Sequence, residues 1–306
     1  MPMTYPAAAP TLSGDLLTIS RFLQSPTNVR RRLRDFRDLR FVSDQILTGR
    51  FRSQGGAVLY EQSEPFITDR TVEAVSPGSE YPFAETLTGT AALAAVVKWG
   101  QKVRITEEEV ERQTVASVLD RKLRKLVNTI IKQVDTVSMA AIESAVTQNT
   151  AATTAWGTIA TATPFYDVQK AKAQIRKLNL GYEPDTLLMD DDRYAALTNN
   201  QIVSGLLKRE TSDNPVYTGE IERLAGLRIV VTPNLPVTST VYVLDSTQLG
   251  GMADEGTSMP GYSAADMAIS TKVIEQHDLD AVDIQGRRKT VPIIQEPGSA
   301  WRITGA

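Results

Sequence analysis

Cysteine is absent from all 306 residues, and histidine occurs once, as His277. The first absence removes disulfide frameworks, thiolate metal sites and cysteine nucleophiles together. It fits a protein made in a reducing cytoplasm, where disulfides do not persist. The second removes any site that needs two imidazoles. Long apolar runs are missing as well. The longest, Ala91 to Val97, falls far short of the ~18 residues that a membrane span needs. The start, Met1 to Pro10, has no basic stretch and is broken by Pro2, Pro6 and Pro10, so it does not read as a signal peptide. Lysine is absent from Phe51 through Val97.

What is present is ordinary globular material: 42% apolar and 23% charged residues. A chain of this length can bury a sizeable core without disulfides or metal. The net charge of −3 is unevenly spread. Between Arg21 and Arg52 stand nine arginines, no lysine and three aspartates (Asp35, Asp38, Asp44), a balance of +6 that leaves −9 for the rest. A basic arm on an acidic body bears on the choice of partners.

Residues 1–20 are rich in Pro, Ala, Thr and Ser and read as an extended or disordered end. Residues 21–52 interleave arginines with Phe22, Leu23, Leu33, Phe36, Leu39, Phe41 and Val42, as a short helix or an extended arm. Residues 53–104 read as β structure. Ala57-Val58-Leu59-Tyr60 is a short strand, Ser76-Pro77-Gly78-Ser79 is a turn signal, and a second long stretch runs from Glu85 to Arg104. The layout predicts a long two-stranded excursion. Its outer part, about residues 60–75, has few residues able to form a core, and an isolated hairpin is marginal in water. It needs another surface to lie on.

The clearest element comes next. Thr106-Glu107-Glu108-Glu109 is a capping box, with its glutamates at the positive end of the helix dipole. Apolar residues then recur at helical spacing from Val110 to Val137, among them Leu119, Leu123, Leu126, Ile130 and Val134. No Gly or Pro intervenes before Gly157. The pattern predicts a helix to Ser144, about 39 residues and roughly 58 Å long. Adjacent apolar pairs such as Val118-Leu119 and Ile130-Ile131 make the stripe wider than a coiled-coil seam. It suits a helix lying on a sheet, with a coiled coil as the alternative. A mixed α/β region follows: a helix over Tyr166–Leu178, a buried strand at Thr186–Met189, a helix from Asp191, and strands at Leu227–Val231 and Thr240–Leu244. Gly250 to Gly261 reads as a flexible loop. Short strands at Met267–Ile274, Val291–Ile294 and Trp301–Thr304 close the chain.

This order of parts resembles the major capsid proteins of tailed phages, the Hong Kong 97 type of α+β fold. Arg21–Arg52 looks like that family's N-terminal arm. Ala57-Val58-Leu59-Tyr60 through Glu80-Tyr81-Pro82 resembles its extended E-loop hairpin, and Ile105-Thr106-Glu107-Glu108 the start of its spine helix. Asp185 to Asp190 and Leu224 to Val231, with Asn234-Leu235-Pro236, are similar to strands of its axial domain. Arg287-Arg288 through Val291, Pro297, Ala300 and Ile303-Thr304-Gly305 resembles its ending. The likeness covers about residues 20–306 and lies in order and spacing, since no single motif is specific. It implies an arm (1–52), E-loop (53–97), peripheral domain with spine helix (98–150), axial domain (151–250), peripheral return strands (251–294) and a C-terminal axial strand (295–306).

The resemblance implies a shell subunit and not an enzyme. It would form hexamers and pentamers of an icosahedral head around double-stranded DNA, assembled in the host cytoplasm and carried in the virion. Expected partners are copies of itself, a separate scaffolding protein (only about 20 residues precede the arm) and a portal. A decoration protein is a further candidate, and packaged DNA would be met by non-specific contact. No membrane, cofactor, metal or catalytic residue is expected. The missing E-loop lysine implies a shell without that family's lysine crosslink. Expected assembly contacts are Arg30, Arg31, Arg32 and Arg34 in the arm, and Tyr60, Glu61, Glu64, Asp69, Arg70 and Glu73 in the excursion.

The alternatives are a nanocompartment shell of the encapsulin type and a soluble nucleic-acid-binding protein that uses the arm. The arginines suit phosphate or the acidic surface of a neighbour. Asp190-Asp191-Asp192 suits a hard cation or, more simply, the cap of the following helix. His277 beside Asp278 and Asp280 lacks the geometry of a triad. The glycines at 250, 251, 256 and 261 fit no phosphate-binding template.

Overall fold

A computed structural model describes residues 41–53, 55–112, 115–158, 160–206, 221–256, 262 and 268–306. In chain order its elements are α1 (Ser43–Ile46), β1 (Gly49–Ser53), β2 (Ala57–Gln62), β3 (Thr90–Ala95), β4 (Val97–Thr106), α2 (Glu107–Arg112) and α3 (Val115–Ala145). Then come β5 (Asn149–Ala151), α4 (Pro164–Lys177), β6 (Thr186–Met189), α5 (Asp191–Thr198), α6 (Gln201–Leu206), β7 (Arg223–Leu224), β8 (Leu227–Val231) and β9 (Thr240–Leu244). The last are β10 (Gly250–Glu255), β11 (Ser270–Gln276), β12 (Ala281–Ile294) and β13 (Ala300–Thr304). The chain divides into two compact units. Among the described residues one holds 100–130 and 268–288, and the other 41–99, 131–256 and 289–306.

The first unit is a helix on a sheet. Val118, Leu119, Leu123, Leu126, Val127 and Ile130 of α3 are all buried, which is the face that the apolar spacing predicts. β11 pairs antiparallel with the first half of β12, from Ser270 opposite Arg287 to Gln276 opposite Ala281. Gly286 on β12 lies so close to the helix that a Cβ there would sit 2.9 Å from Leu126 Cδ2. The close approach of strand and helix settles the alternative in favour of a helix lying on a sheet. The capping box is present in its return half: Glu109 accepts a hydrogen bond from the Thr106 N–H at 3.4 Å. Helix is found on both sides of residues 113–114, which lie outside the described residues. α3 alone spans roughly 46 Å.

The second unit is built on a six-stranded sheet in the order β5-β13-β9-β6-β8-β7. β6 runs parallel to β8 and antiparallel to β9. Every residue of β6 and β9 is buried, the pattern of continuous apolar runs at the centre of a covered sheet. β13 pairs antiparallel with β9 and parallel with β5. α4 packs on this sheet through Val168, Ala171 and Ile175, around the fully buried Trp156. The Trp156 indole N–H and the Thr153 hydroxyl and N–H donate to the buried Asp167 carboxylate, which satisfies it.

Two expectations need correction. Gly250 to Glu255 is not a loop but strand β10, parallel to β1 and antiparallel to the second half of β12. The glycines there serve close approach. A Cβ at Gly251 would lie 2.2 Å from the Gly49 carbonyl oxygen, and one at Gly250 would lie 2.1 Å from that of Ile293. Gly250 also has φ +152, open only to glycine. Residues 257–261 lie outside the described residues. The second correction concerns Asp190. It occupies the N-cap position of α5 with extended backbone, but its side chain makes no capping hydrogen bond. Asp191 and Asp192 sit in the first turn, where the dipole favours them.

Candidate assembly surfaces

Antiparallel β2 and β3 form the root of the excursion, with Ala57 opposite Ala95, Leu59 opposite Leu93 and Gln62 opposite Thr90. Alternation puts Leu59 and Leu93 side by side on one face, where they are 73% and 70% exposed. Beyond Gln62 the chain leaves regular structure until Thr90. The predicted turn is present: the Ser79 N–H donates to the Ser76 carbonyl at 3.0 Å, and Gly78 takes φ +84. None of residues 57–104 is buried. Nine of the fifteen exposed large apolar side chains among the described residues fall here, including Val72, Tyr81 and Phe83. So many exposed apolar side chains in one stretch is unusual for the surface of a monomeric protein.

The expected contacts in the excursion are brought together only in part. Tyr60 is half-buried in β2, and Glu61 and Glu64 are exposed near the root. Asp69 clasps the returning limb: its carboxylate accepts from the Glu85 N–H at 2.9 Å. Arg70 pairs with Glu73 at 3.0 Å, with both side chains half exposed, a geometry that adds little stability. Arg70 and Glu73 line a concavity of about 530 Å³ with Val75, Tyr81 and Phe83. Arg30, Arg31, Arg32 and Arg34 lie outside the described residues. His277 opens a short 3-10 turn, His277–Leu279; its side chain lies outside the described set.

Residues 41–47 are firmly held. Phe41, Ile46 and Leu47 are buried. The Val42 and Ser43 N–H groups donate to the two oxygens of Asp135, on α3, at 3.2 and 3.0 Å. Asp135 is itself buried, and burial pushes its carboxyl above the usual carboxylate range despite those two bonds. Arg50 pairs with Asp44 at 2.8 Å.

Sequence reasoning missed the residues that tie the excursion's root to the second unit. The Ser63 N–H donates to the Gln295 carbonyl at 2.9 Å, and the Glu64 N–H to Glu296 Oε1 at 3.2 Å. The Tyr182 hydroxyl donates to Glu296 Oε2 at 2.9 Å, and Phe66 stacks edge-on against the Tyr182 ring at 6.1 Å. Burial and then the Glu296 carboxylate hold the Tyr182 hydroxyl well above the ordinary phenol range. These partners lie up to 232 positions apart, and no local pattern signals them.

In the first unit the buried Asp283 carboxylate receives Arg104 at 2.8 Å and Lys102 at 3.2 Å. The Arg104 hydrogen bonds hold its pKa down to about 2. Among the described residues no group of three or more histidines, aspartates or glutamates is arranged to hold a metal ion. Nor is any described helix long and apolar enough to cross a membrane.

Residues 89–303 match a family model described as phage capsid protein. The chain belongs to the phage capsid protein family. It is a shell subunit with the α+β phage capsid fold, and family membership makes it a virion component. Solved capsid structures agree on the fold. The capsid of the cyanophage P-SCSP1u superposes with a TM-score of 0.63 at 14% identity, covering 88% of this chain and 90% of that one. A chain of Microbacterium phage Oxtober96 gives 0.59 at 11% identity, covering 95% and 99%. A virus-like particle from Pyrococcus furiosus gives 0.54 at 15%, covering 92% and 97%. No curated protein sequence matches the chain. Phage capsid proteins build shells from copies of themselves.

Proposed function

We propose that this phage capsid protein is a major capsid subunit whose copies associate as hexamers and pentamers and close an icosahedral head around double-stranded DNA. One observation carries the reading: residues 57–104 bury nothing and present apolar side chains to solvent. A hairpin in that state gains burial on a neighbour. Each such contact is weak, and closure engages many of them at once.

Within this reading residues 1–52 are the arm, 53–97 the E-loop, 98–150 the peripheral domain with its spine, 151–250 the axial domain, 251–294 the peripheral return strands and 295–306 a C-terminal axial strand. Pairing of β13 with β9 and β5 supports the last assignment. Arg30, Arg31, Arg32 and Arg34 contact a neighbour or packaged DNA. Residues 57–97 carry six acidic side chains against the single Arg70, a charge of −5 that is opposite to the arm's. Tyr60, Glu61, Glu64, Asp69, Arg70 and Glu73 form the excursion's side of the contact. A separate scaffolding protein, a portal and a decoration protein complete the set of partners, and assembly takes place in the host cytoplasm.

Electron microscopy of particles formed by the full chain tests the architecture; rings of six and five in closed shells are expected, and a monodisperse monomer at all concentrations overturns it. The likeness to a virus-like particle supports a second reading, a compartment that encloses protein cargo. Nuclease-protected DNA in native particles decides for the head, and protein cargo without DNA decides for the compartment.

A further inference from the structure

The excursion departs from the rest of the second unit at the end of β2, and the chemistry there is specific. Strand β2 ends at Gln62, and Ser63 takes φ +56, a left-handed conformation that is unfavourable for a residue with a Cβ. At that bend the mouth is tight. A Cβ on Gly89, in the returning limb, would lie 2.8 Å from the Gln62 carbonyl oxygen. Immediately past the bend stand Ser63, Glu64 and Phe66, which make the three contacts with Gln295, Glu296 and Tyr182 described above.

The two sides of this junction differ in stiffness. On the body side the Gln295 and Glu296 N–H groups donate to the Leu249 carbonyl, and the Ser299 N–H and hydroxyl donate to the Glu296 carbonyl. Tyr182 is buried among core side chains. The Glu296 carboxylate is therefore presented from a fixed backbone, with one oxygen given to Tyr182 and the other to the excursion. On the excursion side, nothing from Ser63 to Thr88 is buried.

We infer that Glu296 is a positioning residue for assembly: its carboxylate, braced by the Tyr182 hydroxyl, holds the Glu64 N–H and, with the Gln295 carbonyl on Ser63 and the Tyr182 ring on Phe66, sets the angle at which the excursion departs. This rests on the shell reading above and deepens it. Subunits in rings of six and of five meet their neighbours at different angles. A strained bend held by a few hydrogen bonds gives two discrete arrangements, latched and released, where a packed core gives only one. The latch fixes the excursion's aim in the free subunit and yields when a neighbour demands another angle.

The absence of cysteine makes a direct test simple. Spin labels placed through Ser76→Cys at the turn and Lys177→Cys at the end of α4 report the distance between excursion and body in the full-length chain, held dilute enough to stay unassembled. In the otherwise native chain a single narrow distribution is expected. Glu296→Ala should roughly double its width, as the bend samples both arrangements. Tyr182→Phe keeps the ring against Phe66 but removes the brace, and should give a smaller broadening. An unchanged distribution in a natively folded Glu296→Ala chain overturns the inference. If that variant fails to fold, Tyr182→Phe decides alone, and an unchanged width there overturns it equally. On assembly, Glu296→Ala should give shells of mixed diameter; uniform shells of native diameter overturn the link between the latch and shell geometry. If no chain forms shells, the native sequence included, the shell reading fails while the distance measurement still decides the latch.

Discussion

Two β-rich regions of the molecule have opposite fates. Residues 57–104 contain no buried residue, whereas strands Thr186–Met189 and Thr240–Leu244 contain nothing but buried ones. Both carry apolar side chains, near-continuous in the central strands and scattered among polar residues in the excursion. The central strands have partners on both edges and α4 packed on their sheet, all from the same chain. The excursion has one paired strand on each limb and no cover. The lesson is that similar strands end buried or exposed according to whether the same chain supplies their neighbours.

The sharpest way to break this contrast is to delete residues 61–75. The subunit should keep a circular dichroism spectrum near native, because nothing buried is removed, while shell formation is lost. Normal shells in micrographs of the deletion would refute the excursion's role. In the buried region the effect should run the other way. Trp156→Ala removes the largest fully buried side chain and strands Asp167, and should cost about 3–5 kcal/mol in denaturant unfolding.

Asp283 gives a smaller effect with a pH signature. Its pKa is held at about 2 in the fold, below the ordinary aspartate value. The stabilisation is thus complete above the unfolded-state pKa, and is lost as pH falls from there towards the folded value. Asp283→Asn should cost ~1–2 kcal/mol near neutral pH, with the difference from the native chain vanishing near pH 2. A difference that stays constant with pH would exclude the Arg104 and Lys102 pairing as its source. The smallest stability effect is expected on the excursion's open face. Leu93→Lys should change unfolding free energy by less than ~0.5 kcal/mol. If the proposed shell contact uses this face, its yield of shells should nevertheless fall.

What the sequence made legible follows the range over which each signal acts. The α3 stripe and the runs at Thr186–Met189 and Thr240–Leu244 are local patterns, and they mark real elements. The capping box is local too, and Glu109 returns to Thr106 as the spacing predicts. Strand β10 was hidden because glycine reads as a loop residue, while at Gly250 and Gly251 it is needed for neighbouring backbones to touch. The 14-residue strand β12 was hidden in the same way: Gly286, the basic run Arg287-Arg288-Lys289 and Pro292 interrupt its apolar pattern. At the candidate assembly surface the exposed hairpin was readable from its thin supply of core residues. The anchors Asp135, Tyr182 and Glu296 were not, because each is paired across a long stretch of chain: Asp135 and Glu296 with main-chain amides, Tyr182 with the Glu296 carboxylate 114 positions away.

The parallel pairing of β1 with β10 has a mechanical consequence. Tension entering the described residues from the N-terminal side meets the buried Phe41, then Val42 and Ser43, where Asp135 grips two amides, and then Gly49, the leading end of β1. Tension applied along the strand axis stresses the β1–β10 bonds together in shear, so they resist as a set and do not unzip one at a time. The tensile strength of this stretch therefore rests on five aligned β1–β10 pairs behind the Asp135 grip, and on Gly49 and Gly251, small enough to let the strands meet.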